Sequence, residues 1–67
     1  MIRVRLNGQD REIEEEQTVQ QLLLQLDLRP ELVVVERNRE ILSRDRYPHV
    51  RVEDGDTLEL VHFVGGG

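Results

Sequence analysis

Ile2, Val4 and Leu6 alternate with Arg3 and Arg5, the period-two pattern of a strand that buries one face. Asn7-Gly8 follows at once. Both central positions of a tight type I′ turn require positive φ, which asparagine tolerates and glycine adopts freely, so the pair predicts a hairpin. Its second strand runs through about Glu14 with Ile13 as the main inward residue, and Glu14-Glu15-Glu16 forms a solvated connection. The periodicity then changes. Thr18 with Gln21 makes a capping box, and Val19, Leu22, Leu23 and Leu26 fall on one helical face. Leu24 lies off that stripe, at a margin of the core. Asp27 to Pro30 ends the helix, because a residue before proline is driven away from α geometry.

Leu32 to Arg37 is continuous and rich in β-branched residues, as expected for a strand partly covered on both faces. Asn38-Arg39 turns the chain into a short strand, Glu40 to Leu42. Glycine would suit the position of Arg39 better, so this turn is expected to run longer than two residues. Ser43 to Pro48 is polar and irregular, a single helical turn closed by Pro48. Glu53-Asp54-Gly55-Asp56 is a tight turn, and Thr57 to Phe63 alternates as the last strand. The order ββαββ followed by a final β predicts an α+β fold. One main helix packs on one face of a mixed sheet of four to five strands. Residues 1–64 form the domain, and 65–67 are a flexible glycine tail.

Composition narrows the chemistry. With 67 residues the domain stands near the lower limit for folding without staples, and it has no cysteine. Disulfides, zinc–thiolate sites and cysteine nucleophiles are excluded, so aliphatic packing must hold the fold. Met1 to Arg5 carries charge where a signal peptide would be apolar, and Leu32 to Val35 is too short to span a bilayer. A cytoplasmic location is expected. The formal charge of −5 disfavours nucleic acid and favours partners with basic surfaces. All nine cationic side chains are arginine, so no lysine amine is present for acylation.

Candidate catalytic groups do not assemble. His62 reads as a solvated strand residue, and His49 as loop surface without a ligand partner at metal spacing. Glu14-Glu15-Glu16 with Glu53, Asp54 and Asp56 reads as a solvated acidic surface that steers the chain toward basic partners. Arg37, Arg39, Arg44 and Arg46 read as partners for the surrounding acids. No phosphate loop, triad or dinucleotide fingerprint occurs, so the chain is not expected to be an enzyme, and no metal site is expected.

The tail is the remaining feature. Gly65-Gly66-Gly67 directly follows the strand-like run Thr57 to Val64. Such a thread enters a narrow cleft without obstruction and presents its terminal carboxylate to another protein. Together with Val34-Val35-Glu36-Arg37-Asn38, Ile41-Leu42-Ser43-Arg44 and the turn Glu53-Asp54-Gly55-Asp56, this ending resembles the ubiquitin-like β-grasp sulfur carriers of the ThiS/MoaD family. The resemblance covers essentially the whole chain and is most specific over the final fifteen residues. The branch it resembles most serves thiamine (thiazole) biosynthesis. An additional glycine, Gly65, before the terminal pair is a mild departure.

That resemblance implies a carrier whose reactive group is the α-carboxylate of Gly67, with Gly66 beside it and Gly65 easing entry of the tail. A ThiF-type enzyme would adenylate the carboxylate with ATP and magnesium, none of which the carrier itself binds. Sulfur from a persulfide donor would replace the adenylate, and the thiocarboxylate would deliver it to ThiG, the thiazole synthase. A monomer is expected, since the tail is shared between enzymes.

Val61 and Phe63 have the opposite parity to Leu58 and Leu60. If the leucines face the helix, Val61 and Phe63 form an apolar docking patch on the open sheet face beside the tail. If a bulge turns one inward, or the 43–52 segment covers them, they belong to the core. The sequence leaves both arrangements open. It also leaves open three other identities. These are the small subunit of molybdopterin synthase or another pathway's carrier, a ubiquitin-like protein modifier, and a plain β-grasp interaction module.

Overall fold

A computed structural model describes residues 1–63. Strands β1 (Ile2–Leu6) and β2 (Gln9–Ile13) are joined by Asn7 and Gly8 at φ 49° and 80°, the left-handed pair that a type I′ hairpin needs. The register runs from Ile2 opposite Ile13 to Leu6 opposite Gln9, which places Val4, Leu6 and Ile13 on the inner face.

Helix α1 (Val19–Gln25) begins with the capping box. The Thr18 hydroxyl accepts from the Gln21 N–H at 3.1 Å, and Gln21 Oε1 accepts from the Thr18 N–H at 2.9 Å. Val19, Leu22 and Leu23 are buried, Leu26 is half-buried and Leu24 is exposed. The helix stops one turn earlier than Pro30 would require. Asp27 takes a left-handed φ of 63°, and the Leu28 and Asp27 N–H groups return to the Leu23 and Leu24 carbonyls at 2.9 and 3.0 Å. This is a Schellman closure with aspartate in place of glycine. Pro30 instead opens a 3₁₀ turn, Pro30–Leu32.

Strand β3 (Val33–Arg37) turns into β4 (Glu40–Leu42) through Asn38 and Arg39, at φ 51° and 71°. The turn has two residues, with Arg37 opposite Glu40, which corrects the expectation of a longer one. Arg39 accepts the left-handed conformation because Asn38 is pinned from outside the hairpin. Its Nδ2 donates to Asp56 Oδ1 at 3.1 Å, and its Oδ1 accepts from the Thr57 N–H at 2.9 Å. A side chain with Cβ is strained there. Arg39→Gly is therefore expected to raise the unfolding free energy by about 0.5–1 kcal/mol, seen as a higher urea midpoint at unchanged slope.

Residues 43–52 are less irregular than expected. After the 3₁₀ turn Arg44–Arg46, the segment packs beside α1. The Gln20 N–H donates to the Tyr47 carbonyl at 3.0 Å, Val19 N–H to Val50 at 2.9 Å, and Val52 N–H to Gln17 at 2.9 Å. Tyr47 and Val52 thereby join the core.

Strand β5 (Thr57–His62) completes a sheet of order β2-β1-β5-β3-β4. It runs parallel to β1 and antiparallel to β3. β2 and β3 point the same way but are separated by two strands, so α1 crosses the sheet and covers one face. The core lies between that face, α1, Tyr47 and Val52. The other face is open.

Candidate functional site

The last strand is anchored along its whole length. On the β1 side only Arg5–Leu6 pair with Thr57–Leu58, and Asn7 then extends the ladder. The Asn7 N–H donates to the Leu58 carbonyl at 2.9 Å, and its Oδ1 accepts from the Leu60 N–H at 2.7 Å. On the β3 side, pairing runs from Arg37 opposite Leu58 to Val33 opposite His62. The Phe63 N–H then donates to the Leu32 carbonyl at 2.8 Å. The chain is thus tied to the sheet up to Phe63, at the edge where the 3₁₀ turn Pro30–Leu32 enters β3.

The opposite end of β5 is fixed by a charge. Asp56 is only 5% exposed, and its carboxylate accepts from the Arg37 Nε at 2.9 Å, Asn38 Nδ2 at 3.1 Å and the Glu53 N–H at 2.8 Å. Burial acts to raise the Asp56 pKa. The Glu53, Asn38 and Arg37 hydrogen bonds, with the Arg37 charge, outweigh it and hold the carboxyl below its ordinary value. Asp56 therefore departs from the solvated acidic surface read from the sequence, because folding brings Arg37 and Asn38 to it. Arg37 does pair with an acid, as expected.

Leu58 is fully buried and Leu60 half-buried, while Val61 and Phe63 are 53% and 54% exposed. Their parity holds, with both on the open face, and the 43–52 segment lies with the helix rather than over them. Val61 stands opposite Val34, and the register of β4 puts Ile41, 74% exposed, on the same face. Ile41 extends the apolar strip and was not read as part of it, since a three-residue strand shows too little alternation. Gly65, Gly66 and Gly67, the expected reactive tail, lie outside the described residues.

His49 and His62 are exposed, and no three metal-ligating side chains converge among the described residues. A groove of about 820 Å³ lies between α1 and residues 44–48, with Leu24, Leu28, Pro30, Tyr47 and Pro48 in its wall. Asp27, Glu31 and Asp45 also line it, and no serine, threonine, histidine or lysine does. Among the described residues no helix is long and apolar enough to cross a membrane.

Comparison with known proteins decides the identity. The ThiS family profile matches residues 4–67. The chain is 45% identical over 65 residues to the sulfur carrier protein ThiS of Bacillus subtilis, covering 96% of this chain and 98% of that one. It belongs to the ThiS family. A crystal structure of the thiamine biosynthesis protein ThiS from Geobacter metallireducens superposes with a TM-score of 0.83 at 35% identity, covering 98% of this chain and all of that one. The fold is accordingly the ubiquitin-like β-grasp, and the chain is a sulfur carrier of thiamine biosynthesis rather than a catalyst. A thiazole synthase of Magnetococcus marinus is 41% identical over 66 residues, 98% of this chain and 20% of that polypeptide. The chain thus spans about a fifth of that synthase's length.

Proposed function

We propose that the α-carboxylate of Gly67 is the sulfur-carrying group. The observation that supports this reading most directly is the bond from the Phe63 N–H to the Leu32 carbonyl at 2.8 Å. Beyond that bond remain residues 64–67, a thread with a reach of about 14 Å at full extension. The family match extends through residue 67. Gly65, Gly66 and Gly67 carry no side chain to obstruct a narrow cleft.

A carboxylate is a poor electrophile. Joining it to AMP, from ATP and magnesium held by a ThiF-type partner, supplies a stable leaving group. A shielded site then protects the acyl-adenylate from water. The terminal sulfur of a persulfide donor attacks the acyl group and releases AMP. A second thiol then cleaves the resulting acyl disulfide, forming a disulfide with the donor and leaving the thiocarboxylate, which donates sulfur to thiazole synthase. The matches to thiazole synthase polypeptides support that destination. The carrier itself holds no cofactor, metal or nucleic acid, and works as a cytoplasmic monomer whose Val61 and Phe63 dock on its partners.

The test is an intact-protein mass spectrum after incubation with a ThiF-type enzyme, ATP, magnesium and a sulfur donor. A gain equal to replacing one oxygen by sulfur, mapped to Gly67 and absent when Gly67 is deleted, is expected. A gain that persists in the deletion variant overturns the assignment.

A further inference from the structure

The open face contains an arrangement that the fold alone does not account for. Glu36 on β3 and Glu59 on β5 are directly opposite in an antiparallel pair. They share the open face, since their neighbours Val35 and Leu58 are buried on the other side. Like charges directly opposite across strands are destabilising. No ion pair within 4.0 Å joins either glutamate to another described residue. Arg5, the open-face cation of β1 nearest in register, stands opposite Thr57, one pleat away from Glu59. Ile41 stands directly opposite Glu36 on the outer side, and the next open-face pair toward the tail is Val34 with Val61. The two carboxylates therefore sit against an exposed apolar strip, on the strand that leads to Gly67.

We propose that Glu36 and Glu59 form a clamp for an arginine of the thiazole synthase, seated while Val61, Ile41 and Phe63 pack against the synthase's apolar surface. This rests on the docking reading of Val61 and Phe63 and deepens it. Two facing carboxylates suit a planar guanidinium, which donates along both edges and tolerates partial desolvation better than an ammonium. A metal ion fits less well, because no third ligand converges there among the described residues. The synthase is the indicated partner because synthases of Magnetococcus marinus and Paramagnetospirillum magneticum carry a segment similar to 98% and 92% of this chain within their own polypeptides. The clamp lies four residues before Phe63, roughly 13 Å along the strand, so it sets how far the tail reaches past the docked surface.

The test measures binding of the full carrier to its cognate thiazole synthase and, separately, to a ThiF-type adenylating enzyme by calorimetry, at low and physiological salt. Wild type is compared with Glu36→Gln, Glu59→Gln, the double variant and Phe63→Ala, with a urea titration of each. The double variant is expected to bind at least about tenfold more weakly, with a flatter salt dependence. Its urea midpoint should be unchanged or higher, because a repulsion is removed. Wild-type binding by the double variant overturns the clamp. If Phe63→Ala then weakens binding, the apolar docking surface stands without it; if neither variant weakens binding, the docking reading falls as well. A loss confined to the adenylating enzyme overturns the choice of partner, and a lowered urea midpoint overturns the claim that the pair serves binding rather than folding.

Discussion

Asp56→Ala is expected to lower the unfolding free energy by about 3 kcal/mol at neutral pH. The substitution leaves the Arg37 guanidinium, the Asn38 amide and the Glu53 N–H without their acceptor. Arg37 is itself 29% exposed at its side chain, so water recovers part of the loss, which keeps the figure at the lower end for a broken buried pair. The effect is large for so small a chain, because a domain of 67 residues has roughly 3–10 kcal/mol of stability in all. A fall in Tm of roughly 15 °C follows from the scaling for domains of this size. The damage should concentrate where three segments meet, namely the 53–56 turn, the Asn38-Arg39 hairpin and the start of β5.

The same carboxylate sets an acid limit. Asp56 has a folded pKa below its ordinary value of 3.8, so the folded state binds its proton less readily than the unfolded state does. Its contribution is fully present above the unfolded pKa and is lost as the pH falls through the folded one. Urea titrations at pH 7, 5, 4 and 3 should therefore show the gap between wild type and Asp56→Asn narrowing only below about pH 4. A gap that stays constant into that range would mean the carboxylate is not depressed by folding.

Asp56 also shows where sequence reading reaches its limit. Glu53-Asp54-Gly55-Asp56 announces a turn through its glycine, but nothing within it marks one acid as buried. The marks are Arg37 and Asn38, nineteen and eighteen residues away, brought in only when β3 pairs with β5. Signals that act over a few residues were legible. Asn7-Gly8 dictates its hairpin through positive φ, Thr18 and Gln21 satisfy each other's backbone, and the parity of Leu58, Leu60, Val61 and Phe63 separates the faces of β5. Strand order was not legible, because insertion of β5 between β1 and β3 is a long-range choice. Arg39 misled through its own chemistry, since the neighbouring Asn38 carries the interactions that keep the turn short. The sequence offered Val61 and Phe63 as an exposed apolar strip with a core placement as the alternative, whereas Ile41 and the facing Glu36 and Glu59 required the register of three strands.

Tyr47→Ala is expected to lower stability by about 4 kcal/mol, and Tyr47→Phe by about 2 kcal/mol. Tyr47 sits among Ser43, Arg44, Asp45, Arg46 and Pro48, a stretch whose polarity concealed it, yet it is only 2% exposed. Its ring fills the space between α1 and β3. Its hydroxyl donates to the Val33 carbonyl at 2.8 Å and accepts from the Val35 N–H at 3.2 Å. Strand β4 ends at Leu42, opposite Val35, so one hydroxyl serves backbone groups that a longer strand would have paired. Phenylalanine keeps the ring and leaves both groups unpaired in the interior, which isolates the hydroxyl's contribution. Alanine adds the cavity and brings the domain close to unfolding at 37 °C. Hydrogen exchange separates this from simple loosening, since the Val35 amide should lose protection in Tyr47→Phe by more than the global decrease accounts for. Because β3 also holds β5 through His62, and Leu32 holds Phe63, loosening here should reach the strand that presents the tail. Tyr47→Phe is therefore expected to slow sulfur loading at temperatures where most of the chain is still folded.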